Sequence, residues 1–193
     1  MSRAALLLGL ALASGACAAA PDASFDPTGP CVADGSAPGA YPALEALIPR
    51  ALEGQAPETL DSGRNCTAEN LGSLAELGID EVRFAGGTWS FGGRRAVALV
   101  VFTAPGLTAE DIAVFYNNSA AVAPRTTVTA TSDPILAGRA GFRIDTETGD
   151  RLQTVLVWPS DVVDRVNVVI STDLPDPKLL AGVDAIEAAA AAP

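Results

Sequence analysis

The chain has 193 residues, 23 acidic and 12 basic, for a formal charge of −11, and 49% of its residues are hydrophobic. That hydrophobic share supports a packed core and excludes global disorder, and the length suits one domain. With one Lys, Lys178, and one adjacent basic pair, Arg94-Arg95, the chain lacks the basic clusters that nucleic acid or anionic lipid requires, and with no His it excludes a His-dependent catalytic triad.

In chain order the first signal is Met1-Ser2-Arg3, an apolar run from Ala4 to Ala13, then Ser14-Gly15-Ala16-Cys17. One positive residue, an apolar stretch and a small-residue exit are the three parts of a secretory signal peptide. The cysteine directly behind the small residues resembles the lipobox of bacterial lipoproteins, with Ser14 where Leu is commonest. The resemblance implies removal of residues 1–16, lipid attachment at Cys17 and anchoring on the extracytoplasmic side of a bacterial membrane. Ordinary cleavage after Ala18 to Ala20 is the alternative, and Pro21 makes that a poor site. Acyl chains are the expected means of attachment, because the remainder would carry 23 acidic against 11 basic residues.

Residues 17–40, with Pro21, Pro27, Pro30 and Pro38, read as a Pro/Ala/Gly-rich tether, and residues 41–193 as a single domain. Once Cys17 is spent on lipid, Cys31 and Cys66 remain, and in an oxidising compartment they are expected to form a disulfide. Two cysteines without a His make a poor zinc site.

Pro42, with Leu44, Leu47 and Ile48 on one face, predicts a short helix, and Thr67 predicts the cap of a second that carries Leu71, Leu74 and Leu77 and stops at Gly78. Two β-rich runs, 81–91 and 94–102, flank Gly92-Gly93, the signature of a tight two-residue hairpin turn. Val82 and Phe84 are even-numbered while Trp89 and Phe91 are odd, so a β-bulge at Gly86-Gly87 is expected to return all four to one face. The second run is apolar at both parities, as in a central strand. Thr108-Ala109-Glu110-Asp111 resembles a capping sequence for a helix with Ile112, Phe115 and Tyr116 on one side. A strand at 126–131, a hairpin from 139–147 to 151–158, a strand at 165–170 and a helix starting at Asp176-Pro177 complete the series.

Carboxylates are the remaining catalytic resource, since Lys178 reads as a solvated charge. The segment from Asp145 to Asp150 faintly resembles the first half of a calcium loop but lacks its closing acid; a hairpin turn with Glu147 and Arg151 paired across it is the plainer reading. Asp161, Asp164, Asp173 and Asp176 fit turns or a helix start. The glycine pairs precede no helix and so form no phosphate cradle. Trp89 and Trp158 fit the core better than a ligand platform.

The expected fold is an α+β two-layer sandwich, an antiparallel or mixed sheet of five to six strands with helices packed on it. The expected function is a membrane-anchored lipoprotein with a non-catalytic binding or envelope-interaction domain, taking an envelope protein or small-molecule ligand, with no cofactor, metal or nucleic acid. A carboxylate-based hydrolase or calcium-dependent domain is the alternative.

Overall fold

The computed structural model describes residues 25–192; the expected signal peptide and Cys17 lie outside the described residues. The elements run β1 (Gly35–Ala37), α1 (Pro42–Glu45), β2 (Thr59–Asn65), α2 (Ala68–Leu71), α3 (Ser73–Glu76), β3 (Val82–Ser90) and β4 (Ala96–Thr103). There follow α4 (Ala109–Val122), β5 (Thr126–Ser132), β6 (Ile135–Leu136), β7 (Arg139–Ala140), β8 (Phe142–Thr148), β9 (Arg151–Pro159), β10 (Arg165–Thr172) and α5 (Asp176–Ala190).

Eight strands form one sheet in the order β1-β2-β3-β4-β10-β9-β8-β5, with every neighbouring pair antiparallel, and β6 and β7 form a separate hairpin. This corrects the expected two-layer sandwich on five to six strands: the sheet is larger, helices are few, and elements cover both of its faces. The extra width comes from β1 and β2, whose sequences GSA and TLDSGRN carry no alternating apolar pattern. Strand β2 is held by polar means instead. Ser62 Oγ, fully buried, accepts from the Tyr41 backbone at 2.6 Å and donates to Glu45 at 2.8 Å.

Strict alternation sets the two faces. On one, Leu99, Val101, Trp89, Leu156, Trp158 and Val169 pack beneath Ile48, Leu52 and the Leu179, Val183 and Ile186 stripe of α5. Gly182 lets α5 approach closely, since a Cβ there would lie 2.9 Å from Leu99 Cδ2. On the other, Val155, Val157, Val166 and Val168 pack under Ile112 and Ala113 of α4 and under Leu71 and Leu74. Thr108 and Asp111 form the expected capping box at the start of α4. The helix predicted from Thr67 is split into α2 and α3 at Gly72, whose φ of 52° breaks the helical backbone.

The segment read as tether is packed at least from Phe25. Its β1 pairs with β2, and Cys31 and Cys66 are joined in a disulfide with Cα atoms 5.4 Å apart. Asp34 accepts from the Cys66 and Thr67 backbone amides, from the Thr67 hydroxyl and from Asn70. The buried Arg64 guanidinium donates to the carbonyls of Asp26, Gly29 and Pro30. A covalent bond, a carboxylate and a guanidinium thus tie one segment to the sheet edge.

Candidate functional site

The site follows from the register of β3. Its pairing with β4 runs without interruption from Arg83 opposite Thr103 to Ser90 opposite Ala96, so the expected bulge at Gly86-Gly87 is absent. Val82, Phe84, Gly86 and Thr88 therefore share the α4 face, and Ala85, Gly87 and Trp89 the α5 face. The α5 side of β3 is buried and the α4 side half-buried, so its aromatics are divided between the two faces. Trp89 and Trp158 are both core residues, 1% and 0% exposed, donating their indole N–H groups to the Gln55 carbonyl at 2.9 Å and to Glu187 at 2.8 Å.

The two central glycines do different things. A Cβ at Gly87 would sit 2.9 Å from Ile48 Cγ2 and from the Trp89 ring, so packing requires glycine there. At Gly86 the nearest atom would be Val100 Cγ2 at 3.5 Å, an ordinary contact. No positive φ demands glycine at Gly86 either. A glycine inside a strand costs roughly 0.5 to 1 kcal/mol against alanine, and here nothing in the packing offsets it.

What the missing side chain leaves is a groove of about 370 Å³. The lower half of this face, over β2, β3 and β4, lies beyond the reach of α4, and the helix edge makes one wall with Phe115 and Tyr116. Gly86, Ala98 and Val100 form the floor, and Phe84 and Phe102 stand to one side, their ring centroids 6.3 Å apart. Phe115 and Tyr116 meet edge to face at 5.5 Å. Burial pushes the Tyr116 phenol above its ordinary pKa. Asp61, directly opposite Gly86 in the sheet, is the groove's single carboxylate; Ser36 Oγ donates to its Oδ2 at 2.9 Å, and no basic residue lines the space.

The carboxylates singled out in the sequence are drawn to arginines rather than to one another. Asp145 lies within β8, accepting from Arg143 Nε at 2.8 Å and from Thr154 at 2.6 Å, while Asp150, in the turn after β8, pairs at 2.7 Å with Arg94 of the loop between β3 and β4. Glu147 faces Leu152 and Arg151 faces Thr148, so the expected Glu147–Arg151 cross-strand pair is absent. Asp176 meets Arg143 at 2.9 Å, Asp161 pairs with Arg139, and Asp164 accepts from the Gly106 amide at 3.1 Å. Among the described residues no group of three or more His, Cys, Asp or Glu side chains is placed to hold a metal ion, and no helix is long and apolar enough to cross a membrane. Lys178, read as solvated, pairs with Glu53 and lies 5.4 Å from the Phe91 ring centroid. Sequence reasoning missed the groove because it moved Phe84 and Trp89 to one face; unbroken alternation through Gly86 was the signal that locates it.

Compared with models of protein families and with curated proteins, the chain matches no family and no curated relative.

Proposed function

We propose that this protein is an exported lipoprotein, anchored through lipid at Cys17, whose folded domain is a non-catalytic binding module that takes a small apolar group in the groove between α4 and β2–β4. The observation that carries the binding reading is Gly86. Natural pockets of this size are mostly apolar with a few polar groups, and a strand glycine that packing does not need keeps one open here. Four aromatic rings supply contact area and the Asp61 carboxylate supplies one orienting group. Asp145 and Asp176 share the Arg143 guanidinium, while Asp150, Asp161 and Asp164 go to other arginines or a turn amide; this favours binding over carboxylate catalysis, which needs two carboxyl groups facing one substrate.

The test has two arms. Metabolic labelling with a fatty acid should mark the wild-type protein and not Cys17→Ser; unlabelled wild type refutes the anchor. For the groove, Gly86→Val should retain or raise the melting temperature, since valine suits a strand, and should abolish ligand shifts at the Gly86-adjacent amides. Unchanged binding in that variant refutes the site.

A further inference from the structure

We infer that the ligand of this groove carries a positive charge: an organic ammonium ion whose apolar body lies between the aromatic walls and whose cation sits at Asp61. The inference rests on the groove being the binding site. Three independent features give the sign.

Asp61 is the one ionisable carboxylate on the lining, and no Lys or Arg lines the groove to neutralise it or to receive an anion. Its Oδ2 is engaged by the neutral Ser36 hydroxyl alone, so the charge is oriented without being compensated. The register places it directly opposite Gly86, at the rim of the groove that this glycine leaves open.

The walls point the same way. Phe84, Phe102, Phe115 and Tyr116 line a small space, and an aromatic face attracts a cation while repelling carboxylates and phosphates. A fatty acid would set its carboxylate against Asp61 or leave Asp61 unpaired.

The third feature is the field of the whole chain. With a formal charge of −11 the protein concentrates cations at its surface and disfavours the approach of anions. A cavity of about 370 Å³ limits the apolar body to roughly a single ring or a short branched chain.

Phenethylammonium, phenethyl alcohol and phenylacetate share one ring and differ in charge. They are titrated into the full chain carrying Cys17→Ser and labelled with nitrogen-15, following the amides of Gly86 and Ala98. The ammonium should bind roughly tenfold more tightly than the alcohol, with the carboxylate weakest. Asp61→Asn should bring the ammonium to within about twofold of the alcohol while leaving the alcohol unchanged, a readout that misfolding would not produce. Equal affinity for ammonium and alcohol in the chain with Asp61 intact overturns the charge inference and leaves the groove standing. Tighter binding of phenylacetate overturns it too. If none of the three shifts Gly86 or Ala98, the groove reading itself fails and the charge inference with it.

Discussion

Acid should loosen one side chain's hold on the N-terminal segment before it unfolds the domain, and Asp34 sets where. Burial raises its carboxyl, but hydrogen bonds from the Thr67 hydroxyl, the Cys66 and Thr67 amides and Asn70 outweigh that and hold it at about 2, against an ordinary 3.8. The folded value lies below the unfolded one, so the stabilisation is complete above about pH 4 and is lost as pH falls through about 2. At ~1.4 kcal/mol per unit the carboxylate contributes about 2 kcal/mol at neutral pH. Asp34→Asn keeps one acceptor oxygen and loses the titration. Urea unfolding of both proteins from about pH 7 down to pH 2.5 should show a gap that shrinks from about 2 kcal/mol to under about 1 kcal/mol at the acid end. The difference between the two curves cancels every other acid in the chain. A gap that stays constant over that range refutes the hydrogen-bonded carboxylate as its source.

Reduction of the Cys31–Cys66 bridge, which closes a separation of 35 residues, should cost about 4 kcal/mol and lower the melting temperature by roughly 10 °C; free alkylation of both thiols without reductant would contradict the bond. Gly87→Ala should destabilise by about 1 to 3 kcal/mol through its contacts with Ile48 and Trp89, whereas Gly86→Ala should be neutral or stabilising by up to about 1 kcal/mol; thermal melts separate them, and equal melting temperatures would remove the argument for a built groove. Gly92 and Gly93 have φ of 80° and 63°, so valine at both should cost on the order of 1 to 2 kcal/mol per residue while asparagine is tolerated, measured as a difference in urea midpoint. Trp158→Phe removes the donor to Glu187 and should cost about 1 to 3 kcal/mol in the same assay.

Where the sequence carried a period or a cap, the fold was legible. Strands β4, β5, β8, β9 and β10 and helices α4 and α5 fall at or within a few residues of their expected spans, because each shows alternation, a capping box or an N-terminal proline. Strands β1 and β2 were not legible. Their polar residues are buried against charged and hydroxyl partners, Ser62 with Glu45 and Arg64 with three backbone carbonyls, and such pairing leaves no hydrophobic pattern along the chain. The turn after β3 differs in one residue from the expected pair: Phe91 bonds to Arg95, so Gly92, Gly93 and Arg94 form a three-residue loop that still uses both glycines at positive φ.

The same physics explains why the groove lies where it does. The α5 face is sealed across β3 because Ile48 and Trp89 close over Gly87, and α5 itself drops onto Leu99 at Gly182. On the opposite face α4 must enter from Leu107 at the end of β4 and leave toward β5 at the far edge, so its path crosses β10, β9 and β8 and not β3. Covering that remaining half would take bulky side chains from the sheet itself. Phe84 and Phe102 provide them at one end, and Gly86 and Ala98 withhold them at the other. With β1 and β2 widening the sheet, Asp61 is carried to the rim of the uncovered patch, opposite the glycine that leaves it open. The hollow, its aromatic wall and its single charge therefore arise from one connection, the short link into α4, acting on a strand that alternates without a bulge.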